Sequence, residues 1–149
     1  MKKNLVLVIF VVLVLSLTAC STNENANDAG PAEVQTLLVA DKSFSAADLD
    51  TMPHVEAVFN DVTYTGVPVT DLLSAAGYDL ASLSAVKAIA ADGYSVNYDS
   101  KQLSPENVIV AYAAANESMT EEDGPFRLVL PGEEGKLNLR MLVEIKVVP

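Results

Sequence analysis

From residue 34 onward, apolar residues recur at every second position in short runs, and glycine, proline, asparagine and aspartate punctuate them. The run VQTLLVA, residues 34–40, predicts a first strand. SFSAADLDTM predicts one or two helical turns with Ser45 as the N-cap. VEAVF predicts a strand, and DVTYTG a second one after a turn at Asn60-Asp61. TDLLSAAG has the helical spacing: Leu72, Leu73 and Ala76 share a face, Thr70 is the candidate cap, Asp71 suits the positive helix start and Gly77 stops the helix. AVKAIAADGYSVNY predicts a hairpin turning at Asp92-Gly93. NVIVAYA is apolar at nearly every position, the mark of a strand buried on both faces. FRLVLPG and LVEIKVVP supply two more strands, the last with Val143, Ile145 and Val147 set against Glu144 and Lys146. Many strands with few short helices predict a strand-rich α+β domain over residues 34–149, about the usual size for one domain.

The beginning of the chain has a different pattern. A short basic start, Lys2-Lys3, precedes a nearly unbroken apolar run over residues 5–17 and then Leu17-Thr18-Ala19-Cys20. This is the layout of an export signal, and its last four residues resemble the bacterial lipoprotein signal, which implies cleavage after residue 19 and acylation of Cys20. Two acyl chains, each contributing about 0.8 kcal/mol per buried methylene, hold a protein at a membrane where one chain does not. The polar stretch STNENANDAGPAE then reads as a tether, so residues 1–19, 20–33 and 34–149 are expected to be signal, lipidated linker and domain. The expected location is the extracytoplasmic face of a cell membrane. Lys2-Lys3 is not a twin arginine, so export of an unfolded chain is expected.

That cleavage sharpens the charge. It removes Lys2 and Lys3 from the nine basic side chains and none of the twenty acidic ones, taking the formal net charge from −11 to −13. Phosphate backbones require a basic surface, so nucleic acid is excluded as a partner. Cys20 is the only cysteine, which rules out an internal disulfide and, once it is acylated, any thiolate metal ligand.

His54 is the only histidine; no G-x-S-x-G motif follows it, which argues against a serine hydrolase, and a zinc site would want three or four His and Cys ligands. TEEDG and GEEG gather carboxylates without the alternate-residue spacing of a calcium loop and read as solvated loops. LPGEEGKLNLR places two glycines with Lys136 and Arg140, raw material for holding an anion, although Glu133 and Glu134 oppose it.

ADKSFSAADLDTMP, YTGVPVTDLLSAAGY, ADGYSVNY, VIVAYAAANESMTEEDGPFRLVLPG and EEGKLNLRMLVEIKVV, in that order, resemble the oxidoreductase molybdopterin-binding domain of the sulfite oxidase family. GVPVTDLL and GPFRLVLPG carry most of the likeness. The resemblance implies a mixed α+β fold with a pterin-bound molybdenum in a loop-lined pocket, and therefore molybdopterin as the possible cofactor. It also implies two departures. His54 falls where catalytic members carry the metal-ligating cysteine, and imidazole is a harder donor than thiolate. Leu137 and Arg140 fall where members often carry two phosphate-holding basic residues. The pocket is expected between His54, the Asp92-Gly93-Tyr94 turn and Arg140. His54 is then either a plain residue at a strand start or a contact for some other ligand.

Three functions remain open on this reading. One is a non-catalytic module serving a small ligand or a redox complex, without a bound cofactor. The others are an extracytoplasmic molybdopterin-dependent oxidoreductase without cysteine ligation, and a structural surface protein.

Overall fold

The structure is a computed structural model that describes residues 35–115 and 117–149. The expected signal, Cys20 and the tether lie outside the described residues. Two five-stranded sheets organise the rest. The first runs β2 (Lys42–Ser45), β1 (Thr36–Val39), β10 (Leu142–Val148), β5 (Ala85–Ala90), β6 (Ser95–Tyr98). Its β1–β10 pair is parallel and its other pairs are antiparallel. The second runs β3 (Val55–Phe59), β4 (Val62–Pro68), β7 (Ile109–Ala114), with β8 (Glu117–Ser118) and β9 (Arg127–Val129) sharing the far edge of β7. Among the described residues three short α-helices, α1 (Ala46–Asp50), α2 (Val69–Ala76) and α3 (Ser100–Leu103), complete the α+β fold.

The apolar run in β7 has a physical explanation in two cores. Val110 faces the large cluster between the sheets, with Leu37, Leu72, Leu73, Phe126 and Ile145. Ile109 and Ala111 face a smaller cluster on the other side of the second sheet, with Ala57, Tyr64 and Val129. A strand covered on both faces has no use for alternation.

Local chemistry sets the helix ends. Ser45 and Asp48 form a reciprocal capping box at α1, the cap expected from the sequence. Asp99 and Gln102 do the same for α3, which the hydrophobic pattern was too short to predict. At α2 the expectation needs correction: the helix begins at Val69 with Pro68 in the cap position, and no side chain caps it. The fixed φ of Pro68 leads directly out of β4, which leaves Thr70 inside the first turn. Gly77 ends the helix in the left-handed conformation, φ 97°, as expected. Val143 also departs from the expected alternation. A register shift between Leu142 and Glu144 turns it outward, while Leu142 and Ile145 are buried.

Tyr98 anchors the end of β6 in the large core, fully buried, with its hydroxyl donating to the Leu137 carbonyl at 2.7 Å. Burial pushes this phenol far above its ordinary value of 10.0, and the neighbouring Tyr94 adds to the shift. A pKa raised in the folded state means that the stabilisation is complete below pH ~10 and is lost as pH rises beyond it. Alkaline titration should therefore show the Tyr98 phenolate appearing together with loss of circular dichroism. Replacing Tyr98 by phenylalanine should move that transition to higher pH.

Candidate functional site

Met141 is the common wall of several cavities. It sits just before β10 with φ 50°, a left-handed conformation that is costly for a side chain of this size. The loop before β9 holds it there: the Met141 N–H donates to the Asp123 carbonyl at 2.7 Å, and its own carbonyl accepts from the Ala91 N–H at 2.9 Å. Gly124 makes the arrangement possible, since a Cβ there would lie 2.9 Å from the Met141 Cα.

On one side of Met141 is a cavity of about 270 Å³ lined by Asp92, Tyr94, Glu122, Lys136 and Arg140, with Leu139 among its apolar residues. Asp92 accepts from the Tyr94 N–H at 2.9 Å, which shapes the hairpin turn, and Gly93 supplies the left-handed step with φ 87°. The Tyr94 hydroxyl donates to the Lys136 carbonyl at 3.3 Å, tying the turn to the short 3₁₀ segment Gly135–Leu137. Lys136 pairs with Glu134 at 2.7 Å, and Arg140 with Glu122 at 3.0 Å. The first pairing raises the Lys136 pKa and lowers that of Glu134, chiefly through their hydrogen bond. Asn138, buried, accepts from the Leu130 N–H at 2.7 Å and donates to the Glu133 and Glu134 carbonyls, fixing the loop that carries both cations.

On the other side is a cavity of about 460 Å³ whose lining includes Tyr112, Met119, Thr120, Glu121 and Pro125. The Tyr112 hydroxyl donates to Asp50 at 3.0 Å, and burial together with that bond raises its pKa. His54 meets the Tyr112 ring edge-on, with centroids 6.5 Å apart. His54 is exposed, and its Nδ1 lies 3.2 Å from the Met52 carbonyl. A carbonyl can only accept, so Nδ1–H is the donor in this contact.

The structure thus brings Asp92, Tyr94 and Arg140 together in one cavity, with Gly93 in the turn that joins two of them. It sets His54 apart from that group, beside the second cavity. Lys136, which the sequence reading did not place in the pocket, joins it.

Beneath the loop lies a cluster whose arrangement composition gives no hint of. Arg127 is 4% exposed, stacked over Phe59 at 5.1 Å and Tyr64 at 4.9 Å. Its Nη1 donates to Asp123 at 2.5 Å and to the Tyr64 hydroxyl at 2.9 Å. Thr120 donates to the other Asp123 oxygen at 3.0 Å, and the Arg140 Nε stands 3.9 Å from the first. The Tyr64 pKa is raised by burial, partly offset by the Arg127 charge. Among the described residues, Arg127 Nε is the buried side-chain polar atom without a hydrogen-bond partner. Asp123 also corrects the expectation for TEEDG: one of its carboxylates is buried and paired, so the loop is only partly solvated. No group of three His, Cys, Asp or Glu side chains suited to a metal ion occurs among the described residues.

Comparison with known proteins agrees with this architecture. Residues 18–149 match the family described as oxidoreductase molybdopterin binding domain. Among solved structures, the sulfane dehydrogenase SoxCD from Paracoccus pantotrophus is similar, with a TM-score of 0.66 at 20% identity over 76% of this chain. The match spans only 38% of that longer chain, and at this identity the likeness is one of fold. No curated protein matches the chain.

Proposed function

The chain belongs to the oxidoreductase molybdopterin binding domain family, and from that premise we propose that it is a lipid-anchored, extracytoplasmic member that works as a non-catalytic binding or redox-accessory module. The observation that carries this reading is the donor set. The chain's one cysteine, Cys20, precedes the fold and is the expected site of acylation, so no thiolate remains within the domain to grip a soft metal. His54, at the position the resemblance assigns to the ligating cysteine, is exposed and offers a single harder nitrogen. The cations at the expected pocket, Lys136 and Arg140, share its lining with Asp92 and Glu122, so the cavity holds no excess of positive charge for a multiply anionic group. A multiply anionic pterin carrying molybdenum does not fit residues arranged in this way.

The anchor rests on the residue pattern around Cys20. No helix among the described residues is long and apolar enough to cross a membrane. Intact-mass analysis of the protein extracted from its own membranes tests both parts of the reading. The expected mass begins at diacylated Cys20 and leaves no pterin unaccounted for. Replacing Cys20 by serine should move the protein out of the membrane fraction. An unmodified Cys20, or a co-purifying pterin, would refute the corresponding part.

A further inference from the structure

The 270 Å³ cavity beside Met141 holds equal numbers of opposite charges: Asp92 and Glu122 against Lys136 and Arg140. We propose that it binds a small zwitterion, a compact molecule with one ammonium and one carboxylate, of the α-amino acid class. This deepens the reading of the domain as a binding module and rests on it.

Three observations point to that chemistry. The first is that the cations are held only loosely by their own partners. The Arg140 and Glu122 side chains are 54% and 82% exposed, and those of Lys136 and Glu134 are 66% and 73% exposed. Exposed pairs of this kind contribute about 0–1 kcal/mol, so a ligand carboxylate can replace Glu122 on the Arg140 guanidinium at little cost. The Arg140 guanidinium already donates to the Glu122 carboxylate, and a planar fork suits a carboxylate in two-point contact.

The second observation is the opposite pole. The hairpin turn uses one Asp92 oxygen, Oδ1, to receive the Tyr94 N–H, while Oδ2 makes no hydrogen bond among the described residues. Tyr94, 48% exposed, lines the same cavity and offers an aromatic ring of the kind that attracts an ammonium. The third is the apolar remainder, Ala90, Leu139 and Met141, which suits a short aliphatic side chain. A dianion would gain from the cations but meet Asp92 and Glu122. A dication would meet the reverse. A zwitterion satisfies both poles.

The test is calorimetric titration of the detergent-solubilised full chain with L-leucine. Two analogues, each lacking one charge, serve as comparisons: 4-methylpentanoate without the ammonium and 3-methylbutylamine without the carboxylate. L-leucine should bind saturably, and each analogue should bind at least about tenfold more weakly, the loss expected when one charged contact is removed. Arg140→Gln and Asp92→Asn should each weaken L-leucine by a similar factor while leaving the melting curve in place, since both side chains are at the surface. Absence of saturable heat up to ~10 mM ligand would overturn the proposal. So would 4-methylpentanoate or 3-methylbutylamine binding as tightly as L-leucine, which would make this a site for a single charge. None of these outcomes bears on whether molybdenum or pterin is present, so failure here is distinct from failure of the reading above.

Discussion

Replacing Arg127 by methionine should destabilise the domain by about 3–5 kcal/mol, the usual consequence of removing one member of a buried ion pair. The guanidinium is 4% exposed and serves three neighbours at once: Asp123 at 2.5 Å, the Tyr64 hydroxyl at 2.9 Å, and the faces of Phe59 and Tyr64. Its loss leaves the Asp123 carboxylate buried without a counter-charge and unties β9 from β3 and β4. For a domain of this length the melting temperature should fall by roughly 10 °C or more. Arg127→Lys should recover little, because an ammonium lacks the planar surface that lies between the two rings. Adding Asp123→Asn to Arg127→Met should recover part of the loss, since the stranded charge goes with it. Urea denaturation of the four proteins measures this directly. If Arg127→Met shifts stability by less than ~1 kcal/mol, the cluster does not hold the second sheet together.

Gly66→Ala should be nearly as damaging, for a different reason. Gly66 lies in β4, where the register with β7 shifts between Thr65 and Gly66. A Cβ at this position would stand 2.3 Å from the Val110 carbonyl oxygen and 2.7 Å from the Ala111 Cα. Both are backbone atoms of the central strand, which no side-chain rotation can relieve. Overpacking costs about 1–3 kcal/mol where side chains can adjust, so the expected loss here is at or beyond the upper end. Gly77→Ala is the informative comparison. Gly77 has φ 97° but open space around its missing Cβ, so only the left-handed backbone is strained. Its cost should be about 1–2 kcal/mol. Equal losses at the two positions would mean that the close approach of β4 to β7 is not what requires glycine.

Much of this fold was legible because its signals are local. Asn60-Asp61 and Asp92-Gly93 mark turns by their tolerance of left-handed backbone, and both turns are present. VEAVF spans β3 as observed, and the doubly apolar β7 reflects two real cores. What was not legible depends on contacts far apart in sequence. Val143 is turned outward by a register shift set by β5, so its own neighbours give no warning. Thr70 carries a good capping side chain, yet the cap falls two residues earlier, at Pro68, which leads straight out of the preceding strand. Arg127 and Tyr64 are 63 residues apart, and nothing local marks either as buried polar machinery.

The candidate site divides in the same way. Asp92, Tyr94 and Arg140 come together through loops that the resemblance had already aligned. Lys136 was visible as a cation, but its place in the cavity depends on the Tyr94 hydroxyl reaching its carbonyl across 42 residues. His54 was expected beside these residues and instead stands against Tyr112.

The central claim is that this member of the family keeps the fold and forgoes the metal. Molybdenum content, determined by elemental analysis on protein purified from its own membranes, tests it most directly. The account predicts a level far below one atom per chain, unchanged when His54 is replaced by alanine. Molybdenum at one atom per chain, lost in His54→Ala, would contradict it.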